Sequence, residues 1–319
     1  MTHRPSVSVV IPTYNEQQHL ARTLASVLRQ TYPNIVEVLV ADGLSTDDTR
    51  DIARTFPGVV VVDNPERIQS AGLNHALARV RGEIVVRVDG HCVLADDYVE
   101  ACVDALEDTG AVMVGGGMDP DRSTDRTPVA QRGIAAAMAS RVGAGPARFH
   151  VGGPAGWVDT VYLGAFRAAD ARAVGGYARD LAVNEDAEFA IRMSSRGGIW
   201  FEPGIRSTYV SRSTFSSLAR QFYRYGRGRA ATVRRHPAHV RPRQLVAPVL
   251  VLGLLSPRRR EVAAAYGAIV LVRALYELGK DPEAAPGLAV ALPVMHLSWG
   301  LGFLRGLATN PQLIRESSR

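Results

Sequence analysis

An α/β fold, with a mostly parallel sheet flanked by helices and a C-terminal apolar helical segment, is what this sequence predicts. Three observations carry that prediction. Residues 1–90 alternate short β-branched runs with helix-patterned segments, the rhythm of strands linked by crossover helices. The composition, 46% hydrophobic and 21% charged over 319 residues, excludes disordered, collagen-like and coiled-coil chains. The last 75 residues carry three long apolar runs.

In order along the chain, residues 7–11, 36–41, 59–63 and 83–88 read as strands, and 19–31, 47–56 and 68–78 as the helices between them. Ser45 opens a Ser-x-x-Asp stretch ending at Asp48, which can cap the second helix and place a carboxylate in its first turn. In such sheets ligands sit beyond the carboxyl ends of the strands, so 12–16, 42–48, 64–69 and 89–97 are expected to line one rim. Further on, the pattern gives a strand at 112–115, a helix at 129–141, a Gly/Pro-rich loop at 143–156, a strand at 158–164 and a helix at 185–195.

The apolar run 245–255 would rise only about 16 Å as a helix. With Arg241 and Arg243 before it and Arg258, Arg259 and Arg260 after it, it is expected to lie in a membrane interface. Residues 262–278 are apolar except for Arg273 and Glu277, and 284–304 hold 21 residues without a charge. Together they are long enough for a transmembrane hairpin at about 261–305. Buried helices of a soluble subdomain are the other reading, kept open by Arg273, Glu277 and the interspersed Gly and Pro.

Net charge is +6 and the pI about 9.6, yet the charge is polarised. Residues 1–120 hold 9 basic against 17 acidic side chains, and residues 196–319 hold 19 against 6. A basic region beside apolar runs points to a lipid surface, and an acidic sheet rim argues against nucleic acid. Two cysteines, Cys92 and Cys102, make no disulfide framework. Residues 1–12 carry no signal-peptide pattern, so the chain is expected to begin mature and to face a reducing compartment. No Gly-x-Gly-x-x-Gly follows the first strand, which disfavours a dinucleotide dehydrogenase.

The rim residues spell a combination. Val10-Ile-Pro-Thr-Tyr-Asn-Glu16 follows the first strand, Ala41-Asp-Gly-Leu-Ser-Thr-Asp-Asp-Thr49 the second, and Val88-Asp-Gly-His91 the fourth. Asn184-Glu-Asp-Ala-Glu188 opens a helix, and Gln221-Phe-Tyr-Arg-Tyr225 lies in a basic segment. In this order, over residues 6 to about 230, the set resembles the family 2 glycosyltransferases, and among them the membrane-associated enzymes of succinoglycan-type bacterial exopolysaccharide synthesis.

That resemblance implies a GT-A nucleotide-diphospho-sugar transferase fold, with residues 1–240 as catalytic domain and 241–319 as membrane-associated helical region. It implies Asp89 and His91 as ligands of Mg²⁺ or Mn²⁺ on the donor diphosphate. The family's usual Asp-x-Asp has become Asp-Gly-His here, and imidazole tilts the choice toward manganese. It implies Pro12, Tyr14, Asn15, Glu16 and Asp42 at the base and ribose of a UDP-sugar, with Ala41 where the family often has another aspartate. Asp186 would be general base on the acceptor hydroxyl, beside Glu185, and Arg192 could pair with Glu185 or Glu188. Gln221, Arg224 and Tyr225 resemble the Gln-x-x-Arg-Trp motif at the donor diphosphate, with Tyr for Trp, and Trp157 would stack on an acceptor sugar.

The function so implied is inverting transfer of a hexose from a UDP-sugar to a hydroxyl of a lipid-linked oligosaccharide, at the cytoplasmic face of the inner membrane, alongside other polysaccharide-assembly enzymes. The alternative is a non-catalytic membrane scaffold that keeps the fold and binds nucleotide or partner enzymes.

Overall fold

The computed structural model describes residues 4–120, 128–209 and 213–309. The backbone divides into two units, residues 1–119 with 152–210, and residues 120–151 with 211–319. Elements are numbered along the chain.

The first unit opens as the sequence predicts, with β1 (Val7–Thr13), α1 (Leu20–Leu28), β2 (Ile35–Asp42), α2 (Thr49–Thr55), β3 (Val59–Asp63), α3 (Gln69–Leu77) and β4 (Ile84–Arg87). Every residue of β1 is buried, as befits the centre of a sheet covered on both faces. It then adds β5 (Cys92–Leu94), α4 (Tyr98–Thr109), β6 (Met113–Pro120), β7 (Gly156–Val158), β8 (Ala165–Arg167), α8 (Ala168–Ala173), α9 (Glu185–Met193) and β9 (Ile199–Tyr209). The sheet runs β3-β2-β1-β4-β8-β6-β9-β5, with β7 paired to β9. β1, β2, β3 and β4 are parallel, while β8 runs antiparallel to β4 and β6. In register, Thr13 faces Asp42 and Asp42 faces Asp63, so three strands end level at one rim.

Three local expectations change. The strand expected at 158–164 is split between β7 and β8, because Leu163 (φ 58°) and Gly164 (φ 90°) take left-handed conformations that no strand accommodates. Ser45 does not cap α2. The N-cap position is Asp48, which makes no side-chain cap bond; the residue before it, Asp47, accepts from the Thr49 N–H at 3.1 Å, while Ser45 turns back to Asp42. β5 and β9 escaped the pattern because β5 has three residues and β9, though continuous, carries Pro203-Gly204, which reads as a turn in sequence.

Gly116 in β6 lies so close to β9 that a Cβ there would overlap the Ile205 carbonyl. Overpacking against backbone cannot be relieved by a rotamer change, so Gly116→Ala is expected to destabilise the fold by about 3 kcal/mol, the upper end for such insertions. A denaturant midpoint equal to that of the parent protein would disprove it.

The second unit is helical, with α5 (Val129–Met138), α6 (Arg141–Ala144), α7 (Arg148–Val151), α10 (Phe215–Arg235), α11 (Val246–Leu254), α12 (Arg259–Leu278) and α13 (Ala284–Ala308). The helix expected to reach residue 141 stops at Met138, because Ser140 caps α6 by accepting from the Gly143 N–H at 3.0 Å. α6 and α7 occupy the stretch read as a loop. α13 packs against α5, α10, α11 and α12. Gly133 and Gly287 permit backbone contact between α5 and α13 that any Cβ would block.

By backbone contacts the second unit takes in residues 120–151 and begins again at 211. α10 and α5 side with the C-terminal helices because small residues along α13 admit them. Among the described residues α13 alone is long and apolar enough to cross a membrane, so one of the two expected hairpin segments meets that condition by length and composition. In α12, Arg273 and Glu277 close on each other at 2.7 Å, whereas Ile269, Leu271, Val272 and Leu275 remain exposed.

Candidate active site

The rim is built by loops that bind one another. Beyond β1, Asn15 adopts φ 55°, and its N–H donates to Ser45 Oγ at 2.9 Å while its own Oδ1 accepts from the Thr46 N–H at 2.9 Å. The Glu16 N–H donates to Thr49 Oγ1 at 2.7 Å. Leu44, Arg67 and Asn184 also hold positive φ, at 56°, 58° and 63°. Such strained residues persist where surrounding structure over-determines them, and four of the five non-glycine examples among the described residues lie at strand ends or at the start of α9.

Asp42 is fully buried. Its Oδ2 accepts from the hydroxyls of Thr13 (3.0 Å) and Ser45 (2.6 Å), and its Oδ1 from the Ser45 N–H (2.9 Å) and from Arg50 (3.4 Å). A carboxylate has about four acceptor directions, and all are used. The geometry thus makes Asp42 the anchor of the β2–α2 loop. Pro12 is buried in β1, and the ring of Tyr14, half exposed, lies against Gly43 as an open aromatic face. Arg67 sits beside Gly43, exposed and with no ion-pair partner among the described residues.

Beyond β4, Asp89 Oδ1 accepts from Arg87 Nη2 (3.1 Å) and Gln69 Nε2 (3.2 Å). Its Oδ2 has no hydrogen bond among the described residues. Arg87, almost wholly buried, reaches on to Glu185 Oε1 at 3.2 Å with the same Nη2. Glu185 faces inward from the start of α9, and burial pushes its carboxyl up to about 7 against the opposing pull of Arg87. Asp186 is half-buried, and its Oδ1 accepts from the Ala187 N–H at 2.7 Å. Arg192 chooses Glu188, gripping it through Nε and Nη2 at 2.9 and 2.7 Å.

His91 Nδ1 meets Glu16 Oε1 at 2.9 Å, so Glu16, expected at the donor, orients this imidazole. A ring nitrogen donating to a carboxylate fixes the tautomer that presents its lone pair on the other nitrogen, the usual arrangement behind a metal-ligating histidine. The Asp89 carboxylate and the His91 imidazole braced by Glu16 are therefore donor types that suit a divalent cation. Among the described residues no three His, Cys, Asp or Glu side chains converge, so such a cation would take its remaining ligands from diphosphate oxygens and water.

Gln221, Arg224 and Tyr225 are on α10 of the second unit, where Gln221 Nε2 donates to the Tyr225 hydroxyl at 2.9 Å and Arg224 is exposed. Trp157 on β7 stands edge-on to Trp200 at the start of β9, ring centres 5.0 Å apart. The far end of β9, Tyr209, pairs with Cys92 next to the Asp89 loop. Sequence reasoning missed Arg67, whose conformation leaves no trace in the sequence, and Arg87, whose signal was an arginine inside the apolar run Ile84-Val-Val-Arg-Val88.

A model of the family described as glycosyl transferase family 2 matches residues 8–162. The succinoglycan biosynthesis protein ExoA of Rhizobium meliloti (strain 1021) is 34% identical over 318 residues, covering 94% of either chain. Glycosyltransferase AglE of Haloferax volcanii is 34% identical over 121 residues, 36% of this chain and 40% of its own. Among solved structures, the mannosyltransferase PcManGT from Pyrobaculum calidifontis, in complex with GDP-Man and Mn²⁺, superposes with a TM-score of 0.64 at 21% identity, over 96% of this chain and 88% of that one. S. aureus TarS 1-349 in complex with UDP-GlcNAc gives 0.52 at 13% identity, over 91% and 90%. At these identities the structural likeness speaks for the fold alone.

Proposed function

The chain belongs to glycosyl transferase family 2, and from that premise we propose that it moves a hexose, with inversion, from a UDP-sugar to a hydroxyl of a lipid-linked oligosaccharide in cell-envelope or extracellular polysaccharide synthesis. The observation that carries this reading is the single cluster beyond β4 in which Arg87 joins Asp89 to the carboxylates opening α9. Donor-side and acceptor-side groups for one displacement stand together, and inversion needs only one base opposite the leaving group.

Asp89 and His91 would hold Mn²⁺ or Mg²⁺. When bound, the cation neutralises charge developing on the nucleoside diphosphate. Tyr14 offers an aromatic face for the base, and Arg67 offers a guanidinium to an anionic donor. Asp42 and Asn15 hold the β1–α1 loop that carries Tyr14 to the β2–α2 loop. Asp186 takes the acceptor proton, while Glu185, turned inward to Arg87, steadies the start of α9. Arg224, Gln221 and Tyr225 contribute a basic, aromatic stripe suited to diphosphate, from a donor or from a lipid carrier. The relative named for succinoglycan biosynthesis supports the polysaccharide context, and the PcManGT and TarS complexes, with GDP-Man and UDP-GlcNAc, support a nucleotide-sugar donor.

The test is a panel of UDP-sugars and GDP-sugars, assayed for hydrolysis and for transfer to extracted lipid-linked saccharides, with Mn²⁺ and with chelator. Turnover of one donor that chelator stops supports the reading. Nucleotide binding without turnover of any donor would favour the scaffold alternative.

For the membrane, we propose that α11, α12 and α13 seat the protein on the cytoplasmic face. Val246, Val249, Leu252 and Leu255 are exposed along α11, and Arg258, Arg259 and Arg260 follow them into solvent, where headgroup phosphates would meet them. The protein is expected to sediment with membranes and to resist extraction by high salt. Recovery of the whole of it in the soluble fraction without detergent would defeat the proposal and leave α13 as the core helix of a soluble subdomain.

A further inference from the structure

We propose that Arg87 is a positioning residue that locks the donor-side carboxylate Asp89 and the acceptor-side carboxylate Glu185 into one cluster, and thereby sets the start of α9 from which Asp186 acts. The inference rests on the glycosyl-transfer reading for its consequence, although its geometry stands without it.

Four observations converge on this residue. Arg87 is the last residue of β4 and Asp89 follows two positions later in the loop, close enough for the two side chains to meet. One atom, Nη2, is shared almost equally between Asp89 (3.1 Å) and Glu185 (3.2 Å), while Nε adds a second bond to Asp89 at 3.3 Å. All three side chains are withdrawn from water, at 6%, 16% and 6% exposure, so the contacts are not the screened pairs of a protein surface. The guanidinium lies 5.9 Å from the Tyr177 ring, and Tyr177 stacks at 4.2 Å on Phe189 of α9, so the arginine also touches the support on which that helix rests.

Only a planar, forked cation can serve two carboxylates in fixed directions. A lysine supplies charge as a single point. Nη1 is buried without a partner, an unusual cost for a protein to retain at a site serving stability alone. The balance of charge points the same way, since one cation faces Asp89 and Glu185, with Asp186 adjacent. A further positive charge at Asp89 would release Arg87 toward Glu185, so donor-side events reach α9 through this residue.

The test compares full-length Arg87→Lys, Arg87→Met/Glu185→Gln and Glu185→Gln with the parent protein. Arg87→Lys keeps the charge, and it is expected to melt close to the parent temperature while amide exchange at residues 184–188 speeds up. With the donor found by the panel above, its kcat is expected to fall by about a hundredfold, the penalty of a misplacement near 1 Å, with donor KM within about threefold of the parent. The double variant removes a cation and an anion together, so its stability returns, yet its kcat is expected to stay about a hundredfold below that of Glu185→Gln. Parental exchange at 184–188 in Arg87→Lys would overturn the proposal, and that measurement needs no substrate. Parental kcat in Arg87→Lys, or equal kcat in the double and single Glu185 variants, would overturn it as well. Absence of turnover by the parent protein would instead sink the glycosyl-transfer reading, with amide exchange still deciding the role of Arg87.

Discussion

Replacing Asp186 with asparagine is expected to cut sugar transfer by about 10²- to 10⁴-fold, the contribution of a general base. Asparagine preserves the shape of the side chain and can still accept the 2.7 Å bond from the Ala187 N–H, so the start of α9 should survive the change. What it cannot do is take a proton from the acceptor hydroxyl. Donor affinity should stay within a few-fold, since the donor-side groups Asp89, His91 and Tyr14 lie on other loops. Glu185→Gln separates the two adjacent carboxylates. Its side chain is buried against Arg87, so its loss should show as a softened helix start and a smaller fall in rate. The decisive measurement is transfer rate against donor affinity for both variants. Near-normal transfer by Asp186→Asn, or parallel loss of donor binding and rate, would mean that the base is another group.

Asp89→Ala is expected to abolish the metal-dependent part of donor binding. Asp89 supplies the oxygen left without a protein partner, and no third acidic or imidazole side chain among the described residues stands ready to replace it. Titration of UDP with and without Mn²⁺ reads the effect directly. Glu16→Gln gives a graded comparison. It removes only the carboxylate behind His91, and the loss of such an orienting partner costs about 10- to 100-fold in metal affinity. The effect of Asp89→Ala should exceed that range. His91→Asp should keep activity and move the preference toward Mg²⁺, because an all-oxygen site suits the harder ion. Undiminished activity of Asp89→Ala in excess chelator would remove the metal from the mechanism.

Much of this was legible in the sequence, and the reason is locality. Four β-branched runs separated by helical periodicity specify a parallel half-sheet within 90 residues, because the central strands β1 and β4 bury both faces and a covering helix only one. Polar residues at the strand ends, Asp42 and Asp89 among them, had nowhere to lie except the rim, since a buried strand does not admit them without partners. What local pattern could not reveal is the second half of the sheet. Three-residue strands carry too little periodicity to register, and β9, although a continuous strand, carries a Pro203-Gly204 pair that reads as a turn.

By itself, then, the sequence determined the parallel half of the sheet, the rim on which the polar motifs stand, the order of those motifs and the apolar character of the C-terminal helices. The tertiary structure alone decided who holds whom. Glu185 meets Arg87 across 98 residues and His91 meets Glu16 across 75. Asp42 is sealed by Thr13 and Ser45, and Trp157 is carried to the far end of β9. α10, which bears Gln221, Arg224 and Tyr225, joins the C-terminal helices because α13 presents small residues to it. The physical reason is the same in each case. Periodicity and strand-end chemistry are carried by neighbours within a few residues, whereas the partner of a charge depends on which loops the fold brings level and on which backbones can approach without a Cβ between them.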